Sequence, residues 1–470
     1  SICMVCDFFY PRLGGVEMHI WSLSQSLLRL GHKVIVVTHQ YKGRSGVRYM
    51  TNGLKVYYLP IAEFEDLVPG LKVDGVTVIS FHNLLPLFRN ILIREQISIV
   101  HAHQSCSPLT HEALLHAQTM GYTTLYTDHS LFGLNDLAAI NLNKTLKFTL
   151  TNVDHAICVS HTCKENLVLR ASLRASRVSV IPNAVDAVIF TPDLRVRNSL
   201  HPDVINVVII CRLVYRKGVD LLVDIIPEVC RQVSHVNFII GGDGPKGLLL
   251  EEMVEKYQLY NRVEMLGQLT HAQVRETLVR GHIFLNCSLT ESFCIAILEA
   301  ASCGLFVVTT SVGGIPEVLP NDMVKLADKS SAESLTNALL SSLPLVKRVD
   351  PMEYHRRVKS MYHWKDVAER TVRLYDKLSK LPKKSFRSKL LSVIRVGPIA
   401  GLLAIALLAI DMLLLKVTEY FMPEKGIDRA IDFPTKNYMK NVKGYHTDDM
   451  HRKLSCRRSL RTITPNEVGP

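Results

Sequence analysis

Apolar positions along this chain come in short β-rich runs separated by amphipathic stretches. In the first half the runs are 2–6, 33–38, 54–59, 97–101, 123–127, 155–159 and 178–181, with helical periodicity at 17–30 and 109–119. A second series follows at 205–211, 236–240, 263–266, 283–286, 306–309 and 323–326. Strands that alternate with helices pair in parallel and carry helices on both faces. The pattern predicts an α/β chain of two consecutive, doubly wound, Rossmann-like domains, residues 1–187 and 188–363. Length agrees, because 470 residues exceed what one hydrophobic core holds.

Beyond residue 363 the pattern changes. A helix-forming run reaches about residue 380, and a basic amphipathic stretch completes a membrane-proximal segment, 364–395. The apolar run 396–415 comes next, and twenty helical residues span about 30 Å, the thickness of a bilayer's hydrocarbon core. Its seven Leu and three Ile outweigh the off-centre Asp411, so it is expected to be one C-terminal transmembrane helix. A buried hairpin helix is the alternative. Lys380, Lys383, Lys384, Arg387, Lys389 and Arg395 precede the run, whereas Lys416, Lys425 and Arg429 follow it. That asymmetry predicts a cytosolic N-terminal part, a single crossing, and a tail, 416–470, on the other side. Asp411 is expected to face a partner's membrane helix or to sit near the headgroups.

The net charge of +12 is partly concentrated in 380–395 and 436–461, which suits an anionic membrane surface or a solvated tail. No basic motif interleaved with aromatics points to nucleic acid. Eleven cysteines are scattered without a disulfide framework, the usage of a reducing compartment. Cys3-x-x-Cys6 lies inside the first run with no second pair, so buried thiols outweigh zinc there. Of two sequons, at Asn143 and Asn286, the second ends an apolar run, which argues against its glycosylation.

The residues with chemical potential cluster where strands give way to helices, and in open α/β sheets ligands bind at those carboxyl ends. Glu291 and Glu299 lie eight residues apart around Phe293, the first in a loop after 283–286 and the second about two turns into a helix. Carboxylates suit sugar hydroxyls because they accept hydrogen bonds strongly and in pairs. Gly313-Gly314-Ile315-Pro316-Glu317 follows shortly after. Arg212 and Lys217 flank a strand-to-helix turn whose unpaired N–H groups favour a phosphate. Gly14 and Gly15 after the first strand, and Gly242 after the second domain's second strand, allow close backbone approach; an ordinary turn explains each equally well. His129 sits just past a strand end. His101-x-His103 has no third ligand at metal-binding spacing, so no metal is expected.

Together these segments resemble the GT4 family of retaining glycosyltransferases, which have the GT-B architecture of two facing Rossmann-like domains. The likeness rests on Asp7-Phe8-Phe9-Tyr10-Pro11, Thr127-Asp128-His129-Ser130-Leu131-Phe132-Gly133, Val180-Ile181-Pro182-Asn183-Ala184-Val185-Asp186, Arg212-Leu213-Val214-Tyr215-Arg216-Lys217-Gly218 and the Glu291/Glu299 segment. It covers roughly residues 2–375. It is strongest to those members that move N-acetylglucosamine from UDP-GlcNAc to phosphatidylinositol, the first step of glycosylphosphatidylinositol anchor synthesis at the endoplasmic reticulum. The resemblance implies that Arg212 and Lys217 hold the UDP diphosphate, that Glu299 accepts from the ribose, and that Glu291 and Phe293 lie at the donor. Backbone near Gly15 and Gly314 would approach the phosphates, and His129 would stand by the transferred sugar. It also implies no cofactor, a membrane acceptor, and further subunits in one complex. A lipid mannosyltransferase or a non-catalytic scaffold remains an alternative; a dinucleotide-dependent oxidoreductase is disfavoured, because the first loop lacks GxGxxG spacing.

Overall fold

Both series of apolar runs become parallel sheets in the computed structural model, which describes residues 1–12, 14–41, 43–61, 81–133 and 137–431. The first sheet contains β1 (Ile2–Val5), β2 (Val34–His39), β3 (Gly46–Tyr49), β4 (Lys55–Leu59), β5 (Ile99–His103), β6 (Thr123–Asp128), β7 (His155–Cys158) and β8 (Val178–Val180). Their order is β3-β4-β2-β1-β5-β6-β7-β8, parallel except for the antiparallel edge pair β3 and β4. All four β3 residues are exposed. With no buried face it has no apolar alternation, which is why the sequence pattern does not reveal it.

The second sheet contains β9 (Ile205–Ile210), β10 (Val236–Gly241), β11 (Val263–Gly267), β12 (Ile283–Asn286), β13 (Phe306–Thr310) and β14 (Val324–Ala327), ordered β11-β10-β9-β12-β13-β14. In each sheet the order reverses beside the first strand, between β1 and β5 and between β9 and β12. A crevice opens outside the carboxyl ends at such a switch point. The two crevices face each other.

The chain then returns to the first domain. Helix Pro351–Met361 packs on the second domain, but helix Trp364–Ser379 lies against helix Gly15–Arg29. Its Val367, Ala368, Tyr375 and Leu378 share a buried cluster with Ile2, Met4, Ile20 and Leu23. The Tyr375 hydroxyl lies 2.7 Å from His101 Nδ1 in β5. Residues 364–379 therefore brace the first domain from outside, and the joint between domains is crossed twice.

Helix Pro398–Phe421 is long and apolar enough to cross a membrane. Gly401, Ala404, Leu408 and Asp411 form its buried side, against helices Phe81–Arg94 and Pro108–Met120 of the first domain. The sequence pattern places Asp411 against a partner's helix or near headgroups; in the fold it finds a partner within the chain. It is fully buried, with Oδ1 2.6 Å from His116 Nδ1 of the same chain. A lone acid in an apolar helix is best satisfied by a hydrogen-bonding partner that packing supplies. Farther along, Arg89 pairs with Glu419 and donates to the Met422 carbonyl at 3.0 Å, and Ala430 N–H donates to the Arg94 carbonyl at 2.9 Å. These contacts hold 419–430 on the domain that carries the first crevice. Residues 432–470, which include the basic cluster 436–461, lie outside the described ones.

Candidate active site

A cleft of about 610 Å³ runs between the two switch points. Gly14, Gly15 and His129 line it from the first domain; Arg212, Lys217, Glu291, Phe293 and Glu299 line it from the second. All the sequence-predicted site residues meet there except Gly242 and Gly314.

The loop after β9 delivers the cations. Arg212 stands exposed at the cleft, and residues Tyr215–Lys217 form a tight turn closed by Gly218 at φ +69°. A Cβ on Gly218 would run into the Cys287 carbonyl oxygen, so only glycine lets this turn lie on the segment after β12. The Leu289 N–H donates to the Arg216 carbonyl at 2.9 Å, tying the two loops together. Lys217 thereby reaches Glu291 and bonds to its Oε1. Burial works against the lysine's charge, but attraction to Glu291 prevails and its pKa is raised. Ser288 Oγ donates to the same carboxylate oxygen at 3.0 Å and fixes its orientation.

Helix Ile295–Ser302 begins after Cys294, which adopts φ +68°, and places Glu299 in its second turn. Burial pushes the Glu299 carboxyl up to about 7. Among the described residues it has no protein hydrogen-bond partner, unlike Glu291, so its acceptor capacity is uncommitted.

Gly314 and Gly242 serve the frame. Gly314 N–H donates to the Glu291 carbonyl at 3.0 Å, and a Cβ on it would strike the Ser292 carbonyl and Ser160 of the first domain. Gly242, at φ +137°, lets the turn after β10 pass the Cys211 carbonyl. Neither is among the residues that line the cleft, and their missing side chains admit neighbouring backbone.

In the first domain, helix Gly15–Arg29 points its N-terminus into the cleft, with no side chain capping Gly14. Glu17 in its first turn also lines the cleft; burial raises its pKa, opposed by Arg212 and Arg12. The sequence pattern did not single out Glu17, although an acid beside a Gly-Gly helix start is a legible signal. His129 is held by its own backbone, whose carbonyl accepts from Ser292 Oγ across the cleft. Burial, then the neighbouring His19 and His101, keeps it far below the usual histidine range and therefore neutral. The tertiary fold also gives His103 neighbours that the spacing of His101-x-His103 does not show. His19 and His129, remote in sequence, bring ring nitrogens to within 4.8 Å of His103.

Glu317 clamps the two domains. Its carboxylate accepts from the His161 and Thr162 N–H groups at 2.6 and 2.8 Å and from Thr162 Oγ1 at 2.8 Å. It thus caps helix His161–Ala171 of the first domain from the second. Of the two sequons, Asn286 is buried and donates to Thr309 Oγ1 at 2.9 Å, while Asn143 accepts from Arg170 at 2.6 Å.

Cations, an open helix N-terminus, three carboxyl groups and a neutral imidazole thus face one volume. Such a set neutralises a diphosphate while accepting hydrogen bonds from hydroxyls.

Residues 39–136 match the family model for GPI anchor biosynthesis, and 205–343 match the model for group 1 glycosyl transferases. The chain is 52% identical over 431 residues to a phosphatidylinositol N-acetylglucosaminyltransferase subunit of Arabidopsis thaliana, covering 92% of this chain and 94% of that one. It is 48% identical over 466 residues to the subunit of the same name in Homo sapiens, covering 96% and 92%. Among solved structures, sucrose-phosphate synthase from Thermosynechococcus elongatus superposes with a TM-score of 0.67 at 20% identity, covering 80% of this chain and 98% of that one. Anabaena HepE in complex with UDP gives 0.62 at 16%, covering 80% and 100%. These two likenesses establish the GT-B glycosyltransferase fold.

Proposed function

Because this chain belongs to the phosphatidylinositol N-acetylglucosaminyltransferase subunit family of GPI anchor biosynthesis, we propose that it transfers N-acetylglucosamine from UDP-GlcNAc to phosphatidylinositol with retention. The observation that carries the reading is the convergence of Arg212, Lys217, Glu291, Glu299 and His129 on one cleft. A non-catalytic scaffold has no physical need for that charge set.

Breaking the sugar–phosphate bond develops negative charge on the leaving UDP. Arg212, Lys217 and the N–H groups opening helix Val219–Gln232 lie on the side from which that charge is stabilised, so the proposal assigns no metal or cofactor to the step. Glu299 accepts from the ribose hydroxyls. Glu291, oriented by Ser288, contacts the sugar, and His129 as a neutral imidazole bonds a sugar hydroxyl without opposing the positive charge at the reacting carbon. Retention is assigned to front-face attack: the inositol hydroxyl enters on the side the phosphate leaves, and the departing phosphate oxygen takes its proton.

The names of the relatives point to one component of a larger transferase, and we extend that assembly to this chain. We place the chain at the endoplasmic reticulum membrane with the cleft on the cytosolic side. The exposed stripe Ile399, Leu402, Leu403, Ile410, Leu413 and Val417 and the basic residues 380–395 support membrane contact.

The test is incubation of membranes carrying this chain with labelled UDP-GlcNAc and, separately, labelled GDP-mannose. Label from UDP-GlcNAc should appear in a phosphatidylinositol-derived lipid that retains the α-anomer. Lipid labelled solely from GDP-mannose would assign the chain to the mannosyltransferases instead.

A further inference from the structure

Behind His129, which lines the cleft from the first domain, two more imidazoles are buried, and the transfer chemistry does not use the three as a set. His19 comes from helix Gly15–Arg29, His103 ends β5, and His129 follows β6. One ring nitrogen of each lies within 4.8 Å of the other two. His103 Nδ1 and His129 Nε2 are 3.3 Å apart, and their rings stack at 22°.

His19 is the informative member. Its Nδ1 lies 2.7 Å from the side-chain oxygen of Asn183. An amide oxygen only accepts, so Nδ1 carries the proton and Nε2 presents a lone pair. That Nε2 is buried without a hydrogen-bond partner among the described residues, on a side chain 3% exposed. An orphaned buried acceptor costs free energy unless something fills it. An imidazole that donates one N–H to an oxygen and aims the other nitrogen inward is the arrangement found at metal-bound histidines. His103 Nδ1 and His129 Nε2 share one proton in their contact, which an incoming metal ion would displace, so each of the three rings can turn one nitrogen to the same point. Asp128, the residue before His129, is committed to Ser105 at 2.7 Å and to Arg170.

The geometry points to a binding site for one divalent transition-metal ion of the zinc class, held by His19, His103 and His129 with its remaining position open to the cleft. Metal–imidazole bonds of about 2.0–2.1 Å set tetrahedral nitrogens roughly 3.4 Å apart, close to the 3.3 Å already found between His103 Nδ1 and His129 Nε2. Three neutral imidazoles with no carboxylate select such ions over magnesium or calcium. The ion is an inhibitor: it claims the His129 nitrogen and sets a dipositive charge where the sugar's reacting carbon becomes positive. That effect on turnover rests on the transfer reading above; the binding itself does not.

Co²⁺ titrated into the full-length chain in detergent reads the site by its tetrahedral absorption band. One Co²⁺ per chain is expected, displaced by Zn²⁺. The band disappears in His19→Ala, weakens about 10–100-fold in affinity in Asn183→Ala, and is unchanged in His155→Ala, whose ring bonds Ser179 outside the cluster. Thermal melting checks folding, and Asn183→Ala carries the comparison if His19→Ala does not fold. Absence of the band, or equal affinity in wild type and Asn183→Ala, overturns the site. In transfer assays Zn²⁺ should inhibit, a chelator should restore activity, and the half-inhibiting concentration should rise in Asn183→Ala. Co²⁺ binding by a chain that transfers nothing would keep this site and sink the function; transfer without Co²⁺ binding would do the reverse.

Discussion

Lys217 and Glu291 are bonded to each other across the loops that follow β9 and β12. The cation assigned to the diphosphate and the carboxylate assigned to the sugar are thus preorganised as a pair. Because each holds the other, both groups are in place before the proposed donor arrives.

Removing either cation should cost chemistry more than folding. Arg212→Ala or Lys217→Ala is expected to lower kcat by about 10²–10³, the loss typical of one preorganised donor. Initial rates of labelled N-acetylglucosamine transfer, with melting curves as controls, measure this. Undiminished turnover in both variants would assign the chemistry to another component of the assembly.

Glu299 predicts a pH signature. Its carboxyl titrates near 7 in the folded chain, against an ordinary value of 4.5. Between those pH values the folded state keeps a proton that the unfolded chain has released, so stability falls as pH rises through the window. Glu299→Gln removes that contribution. The Tm of the variant should vary less between pH about 4.5 and about 7 than that of the wild type; parallel profiles would refute the assignment.

Gly313 lies at φ +55°, and a Cβ there would strike the Glu291 carbonyl and Leu131 of the first domain. Gly313→Ala adds a left-handed penalty of roughly 1–2 kcal/mol and pushes the Glu291 loop outward. A lower Tm is expected together with a raised donor KM. A shift in Tm alone would mean that the loop recovers its position.

Glu317 joins the domains at a helix N-terminus. Glu317→Gln keeps the side chain's size but removes the charge, and is expected to cost about 0.3–1 kcal/mol. The domains should also open more readily, which small-angle scattering reads as a larger radius of gyration. An unchanged radius would make the contact incidental.

The Asp411–His116 pair predicts how the apolar helix is held. Asp411→Ala leaves His116 buried without that acceptor and should loosen the helix. Faster proteolysis within 380–397 reports it, whereas an unchanged digestion rate would show that apolar packing suffices.

Most of the architecture was legible along the chain. Parallel strands buried on both faces need continuous apolar runs, and runs such as 205–211 and 236–240 announce themselves. β3 did not, because an exposed edge strand needs no apolar residues. The cations and carboxylates of the second domain were legible because charged side chains at strand-to-helix turns have few reasons to be there. Glu17 and His19 were passed over, since within one amphipathic helix they look like surface and core.

What the sequence determined alone is therefore local: periodicity sets each strand and helix, and turn chemistry marks where a ligand can be met. Only the tertiary structure decided which distant groups became neighbours. Lys217 found Glu291, His19 found His103 and His129, and Asp411 found His116, because packing two sheets and a returning helix fixes those distances. No one-dimensional pattern encodes them: a side chain's partner across a fold depends on how every intervening element packs.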